Sequence, residues 1–506
     1  MGKEFNIKPL TGSAVKKIHD ESLRILKEIG FKIPYKKVLD ILKKNGASVD
    51  FENEVARFPE ELIMECLKQQ LENNKIFFNR HPRYKKFDNI MKGWMSLGNT
   101  YEIFEPISLN RRKSNLGDII KAIVLANGLD NIDRVSAFVV PNEYNYNEEL
   151  VDVIQYYLLY LFSKKRYFMG ITRKFNSAKC LIEMAKVVAE DDFQLKSGDL
   201  LEYELEAVKN LEYCPDHVRI AYEYAKNKLR VRTTHFALMG NITPLNYAST
   251  ITLLNAHILA GTASIILMNP ENAFARYICA AHITKKGDPS LPLYGSPSQS
   301  IFAFMAKQMA DFYGFESCYT NSNISDSFLD DFQFGFEKGV SAAIPRMLGF
   351  NQCGVEGIVG FDEGSSFERL VIGNEFLSYL NFIFGHDYTI DDKTIDFERI
   401  KKVGIGGNFA PSPGEFEKHD DLYWDSDIFI REWHKDWKKN RNLASDRIKN
   451  KIQNILKENF PPKIVISESK VKKLDELVKH YIKERNFLEN FKKDLDYVIK
   501  TVSSDL

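Results

Sequence analysis

From about residue 115 onward, helical stretches alternate with short β-rich runs, and eight such runs precede the wholly helical end of the chain. A chain that alternates in this way builds a parallel sheet covered by helices, because parallel neighbours require a crossover connection. The runs are VSAFVV ending near Val140, YFMGIT near Thr172, VKNLEY near Tyr213, RVRTTHFALM near Met239, FARYICA near Ala280, ESCYTN near Asn321, LGFNQCG near Gly354 and VGIGGNF near Phe409. Eight strand–helix units in roughly 300 residues is the count of a (β/α)8 TIM barrel. A doubly wound sheet is the alternative that periodicity leaves open. The expected organisation is α/β: an N-terminal α+β cap over 1–115, the barrel over 116–440, and a C-terminal helical extension over 441–506 packed on it.

The cap reads as two helices and a ribbon. IHDESLRILKEIG carries apolar residues at helical spacing and ends on Gly30, a C-cap glycine by position. PEELIMECLKQ starts at Pro59, and GWMSLGNTYEIFEP reads as extended chain with a turn at Gly98-Asn99. At the other end, NLASDRIKNKIQNILKENF and VKKLDELVKHYIKERNFLENF are amphipathic helices joined at Pro461-Pro462.

With 44% hydrophobic and 27% charged residues the chain has the profile of a folded soluble protein. Lys plus Arg equals Asp plus Glu, 69 against 69, so no global field draws it to nucleic acid or anionic lipid. The six cysteines, Cys66, Cys180, Cys214, Cys279, Cys318 and Cys353, show no CxxC or CxC spacing and suggest neither a disulfide framework nor a zinc knuckle. The N-terminus has no apolar h-region, and a reducing cytoplasm is expected. Residues 236–270 contain no Lys, Arg, Asp or Glu. That is long enough to span a bilayer, but Asn241, Pro244, Asn246, Asn255 and His257 interrupt it, and a strand followed by a buried helix is the expected reading.

Familiar catalytic signatures are missing. There is no GxxxxGK[ST]; the cluster Gly404-Ile405-Gly406-Gly407 lacks the last glycine of GxGxxG; HExxH and GxSxG are absent. What remains is polar residues at the expected C-terminal strand ends, where a barrel carries its active site: Asn142 and Glu143, Thr172 and Arg173, Gly240, Asn241 and Thr243, and His282. The stretch TNSNISDSFLDDFQFGFEK adds Asn321, Asn323 and Asp326 in a loop, then Asp330 and Gln333 on a helix. Helix capping by Ser325 or Asp326 is an equally good account of part of it. Tyr101, Phe104, Tyr213, Tyr319 and Phe361 lie near these positions. Most aromatics are core, yet ring faces beside a carboxylate are what a quaternary ammonium needs, since that cation donates no hydrogen bond.

The segments IHDESLRILKEIGFKI, NLGDIIKAIVLANGLDNID, MGNITPLNYASTITLLNAHILAGT, YGSPSQSIFAFMAKQMADFYGFES, NISDSFLDDFQFGFEKG and EGSSFERLVIGNEFL, in that order, resemble the trimethylamine methyltransferase family. The likeness is to its branch without pyrrolysine, which contains glycine betaine and related quaternary amine methyltransferases. Two segments depart from the family pattern: GGNFAPSPGE stands where relatives read like GHFLGHPHT, and VIGNE where they have VIDDE. The resemblance implies a barrel that moves a methyl group from a quaternary or tertiary amine to Co(I) of a separate corrinoid protein docked over its mouth. No cofactor would be bound tightly by this chain, cobalamin would be carried by the partner, and neither metal, nucleic acid nor membrane is expected; homo-oligomerisation stays open. Strand-end location and the family pattern together assign Asn323, Asp326 and Glu356 to catalysis and Tyr101, Asn241, Tyr319, Phe361 and Arg173 to substrate binding. Gly406, Gly407 and Asn408 are assigned to face the corrinoid. A betaine carboxylate would be met by Arg173 or Arg276. The alternative is a catalytically silent barrel that binds an amine or a corrinoid protein as sensor or scaffold.

Overall fold

The structure, a computed structural model, describes residues 7–80, 91–96, 98–167, 171–271, 276–319, 324–350, 352–392, 394–410, 414, 422–441 and 443–506. Eight strands, each followed by a helix, form its centre. They are β1 (Lys92–Met95), α1 (Leu116–Asn127), β2 (Ile132–Val135), α2 (Glu148–Phe162), β3 (Arg166–Tyr167), α3 (Phe175–Val188), β4 (Glu202–Ala207) and α4 (Pro215–Lys226). The second half continues with β5 (Arg230–Met239), α5 (Tyr247–Met268), β6 (Tyr277–Lys285), α6 (Ser298–Tyr313), β7 (Ser317–Tyr319), α7 (Phe332–Met347), β8 (Gln352–Glu356) and α8 (Phe367–Gly385).

Every pairing among these strands is parallel. From β4 to β8 each strand bonds to the next in sequence, β8 returns to β1, and β1, β2 and β3 follow. The mixed α/β class and the order of a (β/α)8 ring are therefore present. A closed barrel is not: among the described residues no ladder joins β3 to β4.

Local chemistry explains the elements. On β5 the side chains alternate, so that His235 stacks flat on His257 of α5, ring centroids 3.6 Å apart, while Arg232, Thr234 and Phe236 take the opposite face. Helix α5 is capped by Asn246, whose side chain accepts from Ser249 N. It is long and apolar enough to cross a membrane, yet it is largely buried within the protein, as expected of the uncharged stretch 236–270. Asn115 and Asp118 form a reciprocal capping box at the start of α1.

Four of the strand positions read from sequence need correction, the first being VSAFVV, which shares only Val135 with β2. GWMS is not ribbon but β1 of the central sheet. Val208–Tyr213 is the connection after β4, whose strand is EYELEA, its alternating acids concealing a strand with a polar inner face. VGIGGNF holds the end of a helix, Phe397–Val403, and an exposed loop; Asp396 caps that helix, and Gly404 and Gly406 leave extended conformation at φ +68° and +75°.

The N-terminal part holds helices Gly12–Glu28, Lys36–Lys44 and Glu60–Arg80 with a three-stranded antiparallel sheet. Gly30, at φ +89°, lets the chain turn where any Cβ would meet the Ala56 carbonyl at 2.7 Å. The C-terminal helices pack against the outer helices: Tyr157 donates to Asp475 at 2.7 Å and Tyr144 to Asp494 at 2.6 Å.

Candidate active site

The inner face of β4 carries Glu202, Glu204 and Glu206, with Tyr203, Leu205 and Ala207 turned outward. At the N-terminal end Glu202 is fully buried and meets Arg134 of β2 at 2.7 Å, Arg230 at 3.4 Å and Arg232 at 3.8 Å. Burial alone would lift its carboxyl, but Arg232, Arg134, Arg230 and Arg276 together pull it down to about 2. Arg232 also bonds Glu204 at 2.7 Å. This floor of the ring is a buried ion-pair network in which three arginines share two carboxylates.

The upper level differs. Trp94 of β1, Ile278 of β6, Tyr294, Ile324 and Ile358 form a small apolar cluster, and partly buried Phe236 and Phe361 pack on it. The His282 ring lies 4.6 Å from Tyr294 and 5.6 Å from Phe236. Burial pushes that imidazole down to about 3, so it is neutral at physiological pH. Glu206, surrounded by protein yet still in partial contact with solvent, is pushed up to about 8 by burial and by Glu204, Arg232 only partly opposing. Asp326 and Asp362 are each lifted to about 6, chiefly by burial. After burial itself, the charges of Asp362, Glu206 and Asp326 all push the Tyr294 phenol upward, so the three acids act on one hydroxyl. They arrive from the ends of β4, β7 and β8, and Tyr294 from the hairpin that extends β6.

A four-stranded sheet holds two of these connections together. Ser365 pairs with Ile103, Glu102–Glu105 pairs with Asn110–Lys113, and Ile358–Val359 folds back on Gly364–Ser365. Thr100 and Ser365 hydroxyls bond at 2.8 Å. The loop after β1 is thus pinned to the loop after β8, and Asn99 Nδ2 donates to Asp362 Oδ2 at 3.0 Å.

The residues singled out in the sequence fare differently. Asp326 and Phe361 join the upper chamber; Asp326 accepts from Tyr294 N at 2.8 Å. The cap of α7 is instead Asp331, which accepts from Phe334 N at 3.0 Å. Glu356 is fully buried, but its carboxylate takes the Lys338 ammonium at 2.6 Å and lies against Gly93 and Gly373, between the sheet and α8. Tyr101 is 51% exposed. Asn241 is exposed and donates to the Pro289 carbonyl. Arg173 is held by Asp152 at 2.7 Å and by the Gly98 carbonyl at 3.1 Å, and Arg276 by Glu316 at 2.6 Å. Gly406, Gly407 and Asn408 are exposed. Asn323 lies outside the described residues, as does the side chain of Tyr319, whose backbone ends β7.

Sequence reading missed Glu206, Asp362, Asn99, Trp94 and Tyr294. The period-two acids of EYELEA were the available signal: apolar and acidic residues alternating on one strand mean a sheet face turned to a polar interior. Among the described residues no trio of His, Cys, Asp or Glu is disposed to hold a metal. An aromatic cluster flanked by carboxyls that outnumber the cations beside them suits a cationic ligand.

Comparison with known proteins follows the same line. The family model described as trimethylamine methyltransferase (MTTB) matches residues 2–486. A glycine betaine methyltransferase of Desulfitobacterium hafniense (strain Y51) is 24% identical over 468 residues, covering 91% of this chain and 94% of that protein. A trimethylamine methyltransferase MttB of Methanosarcina thermophila is 24% identical over 417 residues, covering 81% of this chain and 84% of its own. Among solved structures, the Methanosarcina barkeri monomethylamine methyltransferase aligns with a TM-score of 0.42 at 9% identity, over 88% of each chain.

Proposed function

Since the chain belongs to the trimethylamine methyltransferase family, we propose that it is an amine:corrinoid methyltransferase whose strand ring is a (β/α)8 barrel with the chamber at its C-terminal mouth. The substrate is a quaternary or tertiary amine, and the methyl acceptor is carried by a separate corrinoid protein. The observation that carries this reading is the cluster at the strand ends: Trp94, Phe236, Tyr294 and Phe361 gather their rings there, and Glu206, Asp326 and Asp362 are acids that burial lifts and that lack a lysine or arginine for each.

The corrinoid supplies a nucleophilic Co(I), which takes the methyl group while the electron pair of the N–C bond stays on nitrogen. This chain's residues bind and aim. Rings hold the methylated nitrogen without hydrogen bonds, and alignment for in-line displacement is their main contribution. Because the nitrogen loses its positive charge as the methyl leaves, a fully ionised acid cage would stabilise the substrate more than the transition state. Acids lifted toward neutrality by burial soften that effect. In this reading Asp326 and Phe361 contact substrate, and Glu356 acts indirectly, through its ion pair with Lys338. The silent-binder alternative is not favoured, since the curated relatives over most of the chain are methyltransferases.

The test mixes the protein with a reduced corrinoid protein and a panel of trimethylamine, tetramethylammonium, choline and glycine betaine. Methylation of the corrinoid, followed by absorbance, is expected with at least one amine, and Phe361→Ala should slow it about tenfold through lost ring contact. No methylation across the panel would overturn the proposal.

A further inference from the structure

Asn99 and Asp362 share one hydrogen bond, Nδ2 to Oδ2 at 3.0 Å. The other oxygen of each, Asn99 Oδ1 and Asp362 Oδ1, is shielded from solvent and has no hydrogen-bond partner. Turning the Asn99 amide would remove the bond to Asp362, so the network fixes its orientation. Two acceptors are thus left unmet within one side-chain pair, where buried polar atoms are normally satisfied. Neither oxygen is open to water. A proton on Asp362 donated to Asn99 Oδ1 would serve both and complete a two-bond acid–amide pair.

The backbone is arranged to keep the pair in place. Asp362 is held at φ +65°, a conformation that favours glycine, by the turn between Ile358–Val359 and Gly364–Ser365. Its neighbour Phe361 packs on the chamber cluster, and its charge reaches the Tyr294 phenol. The titratable groups that share this phenol are Glu206 and Asp326, both acids; Asn99 is the one group that offsets the burial of Asp362.

We infer that Asp362 is the counter-ion of the bound ammonium: an acid paired with Asn99 in the unliganded protein, which gives up its remaining proton to solvent when the cation enters. This rests on the amine reading above. When the methyl departs and the nitrogen loses its positive charge, Asp362 loses its counter-charge and its proton occupancy returns to that of the unliganded protein, the proton coming from solvent. Burial that lifts the carboxyl to about 6 is consistent with a group that changes state on binding.

The test is calorimetric titration of tetramethylammonium and choline at pH 6 and pH 8.5, each in two buffers of different ionisation enthalpy, which counts the protons released. The wild-type protein should release protons at pH 6. Asp362→Asn should remove about half a proton of that release, by linkage, and weaken binding at pH 8.5 about tenfold. Asn99→Ala, which deletes the donated bond that favours the ionised carboxylate, should raise the release at pH 6 without abolishing binding. Unchanged proton counts in both variants would overturn the inference while leaving the amine reading intact. Failure of every ammonium to bind the wild-type protein would overturn both.

Discussion

Glu202 and Glu206 stand on the same face of the same strand, one at its beginning and one near its end, in opposite electrostatic surroundings. Three arginines of β2 and β5 crowd the first, and its carboxyl stays ionised at about 2. The second feels the acid Glu204 more strongly than Arg232 and, with burial, is lifted to about 8. Charge that is matched inside the protein holds the ring together. Charge left unmatched at the mouth waits for something from outside.

The contrast is broken most severely at the floor. Glu202→Gln leaves Arg134, Arg230 and Arg232 buried without their common anion and should cost about 3–5 kcal/mol, read as a lowered denaturation midpoint. A loss below about 1 kcal/mol would show that the floor is not held by charge.

Glu206→Gln is expected to act the other way. The unfolded chain loses this proton near the ordinary Glu value, whereas the folded protein keeps it until about 8. The folded state therefore holds more protons in between, and wild-type stability falls as pH rises through that window. The variant should be about as stable as wild type at pH 4 and more stable by about 1 kcal/mol or more at pH 8, with weaker ammonium binding there. Equal stability at both pH values would mean that Glu206 is not strained by its surroundings.

Tyr101→Ala should change least. A side chain that is half exposed and away from the apolar cluster contributes within about 0.5 kcal/mol to stability, and ammonium affinity should move less than twofold. A large loss of affinity would shift the ring surface of the site from Trp94 and Tyr294 to the chamber's outer edge.

These differences show what a sequence can and cannot reveal here. Strand β5 was legible because RVRTTHFALM is β-rich throughout, and α5 because twenty-two residues run without charge. Strand β4 was not, because an inner face of three acids resembles solvent-exposed chain until the arginines opposite are known. Asp326 was singled out through its place after a strand, and it lies beside Tyr294. Glu356 was found the same way, yet its side chain turns toward α8, since strand ends alternate in direction and position alone does not give the face. Asp362 and Asn99 carried no signal at all: each is an ordinary turn residue, and their pairing exists only in three dimensions.

The small sheet that joins the first connection to the last has a consequence for how the protein comes to exist. Asn99 and Asp362 are 263 positions apart, and contacts of such separation form late because the intervening loop must close first. During synthesis the chamber wall is incomplete until nearly three quarters of the chain has emerged, so the amine cannot template the early fold. A chain cut short before Asp362 would carry much of the core and the rings of the cluster, but not the link that ties its first connection to its last.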